Sequence, residues 1–154
     1  MSENQPEYDF NDFRSWLHGI VVVAFDQELG QVINNVYPVT NNSQDELTEQ
    51  DRTNICYFAF PDSNSGIMGD TQFHFRIRRV GSRTDKQYDQ YNSCVLPALQ
   101  VDPNFLFGFA YFRQVKDPTI RRGYYQKSVI LLAYLPLITS FTQLTTHVAR
   151  KFFE

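Results

Sequence analysis

An excess of basic charge, clustered cysteines and long apolar runs are all missing from this chain. Fourteen Lys and Arg stand against 17 Asp and Glu in 154 residues, a net charge of −3. A domain-wide basic field of the kind that holds nucleic acid is therefore absent, and nucleic acid is not an expected partner. Cys56 and Cys94 are the two cysteines, and they have no CxxC spacing. A disulfide framework is excluded, and a reduced cytosolic protein is the economical reading. The N-terminus is polar and acidic, unlike a secretory leader, so the Asn41-x-Ser43 sequon is not expected to carry glycan. The longest apolar runs, Ile20–Phe25 and Val129–Leu135, are strand-sized and well short of the ~18 residues a membrane helix needs.

Motifs for covalent chemistry are missing as well. No GxxxxGK[ST] cradles a phosphate, no GxGxxG follows a strand, and no HExxH or Cys/His group offers metal-ligand spacing. His18, His74 and His147 are scattered and read as surface or packing residues. Cys56 falls inside an apolar helical stretch and reads as a small hydrophobe. Cys94 has no histidine near it in sequence. The acid pairs Asp45-Glu46 and Glu49/Asp51 sit at a helix start, where negative charge suits the free backbone N–H groups. No catalytic residue, metal or cofactor is expected.

What the chain has in quantity is aromatic residues: 14 Phe and 9 Tyr. Each buried Phe stabilises by about 1.5–3 kcal/mol, so an aromatic core needs no covalent staple. Residues 1–15 are rich in Glu, Asp, Asn and Gln and read as a disordered acidic leader. Packing begins near Trp16. Ile20–Phe25 is largely β-branched and predicts a strand covered on both faces. Asp26-Gln27-Glu28 is a tight polar break. Leu29–Tyr37 resumes as an antiparallel partner, closed by Pro38.

Two capping-box patterns follow, Ser43…Glu46 and Thr48…Asp51. The later one is favoured and predicts a helix near 49–58, with Ile55, Phe58 and Ala59 at helical spacing and Phe60-Pro61-Asp62-Ser63 as its stop. Gln72–Arg79 alternates, with Phe73, Phe75 and Ile77 on one side and His74, Arg76 and Arg78 on the other, which predicts a half-exposed strand. One short helix is expected around 87–99. Phe105–Val115 is an aromatic strand in which Gly108 marks a close backbone approach or a bulge. Gln126–Leu135 is the most apolar strand, ended by Pro136. Thr139 or Ser140 caps a last helix with Phe141, Leu144, Val148 and Phe152 on its apolar face. The order ββα, βββ, α predicts an α/β (α+β) fold: a five-stranded, mainly antiparallel sheet with helices on both faces, of longin or profilin-like type.

Arg76, Arg78, Arg79 and Arg83 gather on and after one strand. Arg121 and Arg122, with Arg113 and Lys127, gather about the next turn. On an acidic protein this is a local basic patch. It is either a solvated strand face or a seat for an acidic partner or an anionic lipid head group.

Several runs carry a resemblance. They are Phe25-Asp26 with Gly30, Tyr37-Pro38, Asn54-Ile55-Cys56-Tyr57, Phe60-Pro61-Asp62-Ser63-Asn64-Ser65-Gly66, and Gly69-Asp70-Thr71-Gln72-Phe73 leading to Phe75-Arg76. Later come Gly108, Tyr111-Phe112-Arg113-Gln114-Val115, Arg122-Gly123-Tyr124-Tyr125-Gln126-Lys127-Ser128 and Leu135-Pro136. Through these residues the chain resembles the N-terminal longin (upstream DENN) module of DENN-domain proteins, closest to the DENN domain-containing protein 6 type. The resemblance spans about residues 16–138; residues 80–103 match only loosely.

It implies a longin domain over 16–154 that stops before its last helix and before the second DENN lobe. It implies a role in activating a Rab GTPase at endosomal membranes, with the Rab held between the two lobes. Thr48, Asp51, Arg52 and Ile55 would face the GTPase switch region, and Phe60, Asp62 and Ser63 would shape the adjoining loop. Partners would be a Rab GTPase and the second lobe of the parent chain, with peripheral membrane contact and a cytoplasmic location. Exchange activity is expected only with the second lobe. The alternative is a longin scaffold of a trafficking complex that carries no exchange activity.

Overall fold

The structure is a computed structural model, and it describes residues 15–37, 46–61, 68–79 and 86–154. Five strands form one antiparallel sheet: β1 (Leu17–Asp26), β2 (Gly30–Tyr37), β3 (Gly69–Arg78), β4 (Phe105–Lys116) and β5 (Tyr124–Ala133), in the order β2-β1-β5-β4-β3. Among the described residues three helices of eight or more residues accompany them: α1 (Glu49–Phe58), α2 (Lys86–Ser93) and α3 (Ile138–Phe153). The expected α+β architecture with covering on both sheet faces is present.

Strand alternation assigns the two faces. Val21, Val23, Ile77, Leu106, Ala110, Ile130 and Leu132 point to one face, where Ile55 of α1, its C-cap Ala59 and Tyr88 of α2 close over them. Val22, Phe109, Tyr111, Val129 and Leu131 point to the other, where Phe141 and Ala149 of α3 pack. Central β1 and β5 are therefore apolar at consecutive positions, as a strand buried on both sides must be. Edge strand β3 keeps the expected alternation: Phe73 and Phe75 half-buried, Ile77 buried, and His74, Arg76 and Arg78 exposed.

Gly108 is a close approach and not a bulge, since the β3–β4 register runs unbroken past it. A Cβ at Gly108 would overlap ring carbons of Phe75, its partner across the strands. The Phe75 ring lies over the Gly108 backbone and stacks on Phe58 of α1, with centroids 5.5 Å apart. One missing methyl thus lets an edge-strand aromatic lie down and reach the helix.

Three expectations are corrected. The helix expected around 87–99 is broken: α2 ends at Ser93, and only a single 3-10 turn, Pro97–Leu99, follows. Pro97 has no N–H to donate and cannot continue a helix from residue 93. Neither Thr139 nor Ser140 caps α3. Leu137 holds the N-cap position without a side-chain bond, because Pro136 feeds the chain straight into the first turn through the Ile138 N–H to Pro136 C=O bond.

The buried row of α3 is Phe141, Thr145 and Ala149, each no more than 2% exposed. Leu144 and Val148 flank it, Phe152 is exposed, and Phe153 packs in its place. The reason is steric. The sheet beneath is itself aromatic, so small residues stand where the helix comes nearest. Thr145 meets its own polar requirement by donating to the Phe141 carbonyl at 2.6 Å.

The strand bounds differ from expectation at their ends: β3 begins at Gly69, and β5 runs from Tyr124 to Ala133. The leader through residue 14, the Asn41 sequon, Ser43, Asp45, Asp62, Ser63 and Arg83 lie outside the described residues.

Candidate interaction surface

Helix α1 owes its start to Thr48. Its hydroxyl accepts the Asp51 N–H at 3.1 Å, and the Asp51 carboxylate accepts the Thr48 N–H at 3.0 Å, closing a reciprocal capping box. The favoured one of the two helix starts is therefore the one observed. Arg79, the first residue after β3, brings its Nε to 3.5 Å from Asp51 Oδ2 and donates from Nη2 to the Glu46 carbonyl at 2.9 Å. The helix start is thus tied to the sheet edge.

This local chemistry buries two of the residues the resemblance placed against a partner. Asp51 is 2% exposed and Ile55 is 0% exposed. Asp51 is occupied by the cap and by Arg79, and Ile55 belongs to the core between α1 and the sheet. Both side chains are turned inward in this lobe. Thr48 is exposed, with its hydroxyl committed to the cap. Phe60 is half-buried between Phe112, 5.0 Å away by ring centroid, and Phe25, at 6.5 Å. It anchors the chain leaving α1. Of the five of these residues that are described, Arg52 lines an open groove.

That surface is a shallow groove of about 480 Å³ between α1 and edge strand β2, lined by Gln31, Val32, Ile33, Arg52, Thr53, Cys56 and Tyr57. The helix contributes two rows, Arg52/Cys56 and Thr53/Tyr57, each four residues apart and beside the buried row Asp51/Ile55/Ala59. Tyr57 is 75% exposed and meets Phe58 edge to face at 5.0 Å. Burial pushes the Cys56 thiol upward, against opposing pulls from the Ile33 backbone and Arg52. It is a thiol, not a thiolate, at neutral pH. The wall of this groove was missed in the sequence. The i, i+4 rows next to Ile55 carried the signal, once the buried row is known to be 51/55/59.

The arginines do not form one patch. Arg76 and Arg78 are exposed at one end of the sheet, where Arg78 stands opposite Phe105 at the start of β4. The Arg76 guanidinium lies 4.6 Å from the centroid of the Phe105 ring. Arg79 turns to Asp51 instead. Arg121 and Arg122 follow the far end of β4, with Arg122 4.0 Å over the Phe25 ring. At about 3.4 Å per residue, twelve-residue β4 separates the two groups by roughly 37 Å. Arg113 is held by Asp70 through a two-point salt bridge. Sequence clustering suggested one cationic face because β4 and β5 fold back on each other, but β3 runs antiparallel to β4 and carries its arginines away.

Among the described residues no group of three or more His, Cys, Asp or Glu is placed to hold a metal ion. No helix among them is long and apolar enough to cross a membrane.

The family described as Transport protein Avl9 matches residues 17–154. Mouse Protein DENND6A is 43% identical over 148 residues, covering 94% of this chain and 24% of the relative. Mouse Protein DENND6B is 46% identical over 145 residues, covering 92% and 24% respectively. The Protein DENND6 homolog of Dictyostelium discoideum is 33% identical over 141 residues, covering 92% and 17%. The chain thus spans about a quarter or less of the length of these curated relatives. No solved structure matches it.

Proposed function

This chain belongs to the Transport protein Avl9 family and is homologous to DENND6 proteins over most of its length, and from that we propose that it is one lobe of a guanine nucleotide exchange factor for a Rab GTPase in endosomal traffic. The groove between α1 and β2 meets the switch region. A second lobe of the parent chain completes the exchange-competent surface, and the assembly is peripheral to the membrane in the cytoplasm.

The observation that carries this reading is Tyr57. Tyr57 stands three-quarters exposed beside the groove, free to meet another protein. Tyr and Arg are the residue types that most often anchor protein interfaces, and Arg52 lines the same groove. Exchange forms and breaks no covalent bond. The factor binds the nucleotide-free GTPase more tightly than the loaded one, and linkage weakens nucleotide binding by the same ratio. Each tenfold acceleration through this linkage takes about 1.4 kcal/mol of differential contact. Shape and contact at a groove can supply that without a nucleophile or a metal.

The test is release of a fluorescent guanine nucleotide from a panel of purified Rabs, driven by this chain alone and by a parent-length relative that contains the lobe. Acceleration of one Rab or a small group by the longer protein supports the reading. No acceleration of any Rab by the longer protein removes it.

A further inference from the structure

The two outer strands of the sheet, β2 and β3, differ in how their edges are finished. At β2, helix α1 lies beside the strand, and the Ile33 backbone hydrogen-bonds the Cys56 thiol. Strand β3 is ten residues long, holds no proline, and pairs with β4 from Gly69 to Arg78 without a bulge. The Arg79 N–H donates to the Asn104 carbonyl at 2.7 Å, which fixes the phase of that ladder. Odd-numbered residues of β3 therefore bond to β4, and Asp70, Gln72, His74, Arg76 and Arg78 aim their N–H and C=O groups outward. All of them are exposed. Among the described residues no hydrogen bond uses these outward groups. A long, regular edge of this kind is a ready template for another strand.

The row is complementary to itself. Set antiparallel to a second copy about a two-fold axis at His74, it places Gln72 opposite Arg76, Asp70 opposite Arg78 and His74 opposite its own counterpart. These are the pairs that exchange the outward backbone bonds. On the other face, Phe73 falls opposite Phe75 on both sides of the axis. Those are non-hydrogen-bonded pairs, where cross-strand side chains come closest. Phe73 and Phe75 are half-buried, so each has surface left to cover. Phe58, stacked on Phe75 and 40% exposed, extends the same apolar seam. Moving the axis to Phe73 sets Phe75 against Thr71 and leaves a single aromatic pair. Asp70 is gripped by Arg113, and Arg76 rests its guanidinium on Phe105, so the charged side chains add register more than strength. The match is residue against residue and needs no net charge at either end of the sheet.

We propose that a second copy of this chain adds to β3, strand β3 against strand β3 antiparallel, making one continuous sheet through two protomers. The occupant is a second copy because one strand, β3 itself, satisfies the backbone template, the aromatic row and the charge order in one register. Association closes at two, because the two-fold pairing uses the open edge of both copies while α1 lies beside the other edge. The α1–β2 groove is at that opposite edge, so the pairing leaves it open.

The test is sedimentation equilibrium of this chain across a wide concentration range, paired with hydrogen exchange. The unaltered chain is expected to pass from monomer to dimer as concentration rises, with the Gln72, His74 and Arg76 amides gaining protection in step. Gln72→Lys sets a like charge against Arg76 at two symmetric points and is expected to weaken the dimer roughly fivefold, and Gln72→Glu to tighten it by about as much. The substituted side chain lies in solvent in the monomer, so circular dichroism should not change. His74→Pro removes an outward N–H that the β3–β4 ladder does not use, and should leave a folded monomer. Four results overturn the proposal: a chain that is monomeric at every concentration, a dimer of equal affinity in Gln72→Lys and Gln72→Glu, a dimer that persists in folded His74→Pro, or outward amides protected equally at all concentrations, which would mean that another part of the chain covers the edge. The readout is mass and contains no GTPase, so it succeeds or fails apart from the exchange reading.

Discussion

Arg113 grips Asp70 across the β3–β4 ladder with two parallel bonds, Nε to Oδ1 at 2.7 Å and Nη2 to Oδ2 at 2.8 Å. Tyr111 adds its hydroxyl to the same carboxylate at 2.5 Å. The far side of the pair serves α3, because the Arg113 guanidinium lies 4.4 Å from the centroid of the Phe153 ring and Tyr111 lies 6.2 Å from it. One carboxylate on the edge strand therefore orients the surface on which the last turn of α3 rests.

Asp70→Asn is expected to cost about 1 kcal/mol, the modest value suited to a bidentate but partly exposed pair. The Arg113 hydrogen bond, and secondarily the Tyr111 hydroxyl, hold the Asp70 carboxyl below the usual carboxylate range. A depressed folded-state pKa means that this contribution is present above the unfolded value of about 3.9 and is lost as pH falls through the folded one. Urea titrations at neutral pH and at progressively lower pH should therefore show the gap between parent and variant closing in acid. A gap that widens in acid contradicts the assignment.

Gly108→Ala drives a Cβ into the Phe75 ring. The ring must lift and lose its stack on Phe58, so a loss of about 1–3 kcal/mol is expected. For a chain of this size that is a fall in Tm of several degrees by circular dichroism. Combining it with Phe75→Ala should cost less than the sum of the two single changes, because the second removes the clash of the first. Strict additivity would show that the close approach is not what requires glycine.

Ala149→Leu places a large side chain where α3 lies against Tyr111, Val22 and Val129. Overpacking there should destabilise by about 1–3 kcal/mol, and Leu144→Ala, on the flank, by less than a full core truncation. If Leu144→Ala proves the more damaging, the buried row of α3 has been misassigned.

Thr48→Ala removes the cap hydroxyl and leaves Asp51 with half a capping box. About 1 kcal/mol is the expected loss, with hydrogen exchange rising first in the Asp51–Thr53 amides. Equal exchange in parent and variant would mean that the start of α1 is fixed by Arg79 alone.

Much of this fold is legible in the sequence because its cues are local. Thr48…Asp51 marks a helix start, alternation marks β3, and an unbroken run of β-branched residues marks β1. The missed features depend on what lies opposite. Thr145 and Ala149 look like gaps in an apolar stripe until the aromatic sheet beneath them is known. Asp51 looks like a surface acid until Arg79 arrives from a strand end 28 residues later. The resemblance put α1 at the candidate surface, and Arg52 does line it, but the apolar signature of Ile55 is that of a core residue. Tyr57, the most exposed member of the groove, looks like one more aromatic in an aromatic chain.

The central claim is that the α1–β2 groove engages a folded GTPase, and Tyr57→Ala tests it most directly, because so exposed a side chain can be removed with little effect on folding. In a parent-length protein, nucleotide release from its cognate Rab should slow about tenfold or more with Tyr57→Ala, while Tm stays within a degree or two. Unchanged release rates for both Tyr57→Ala and Arg52→Glu, in a protein that still accelerates exchange, would move the GTPase to another face and contradict the account.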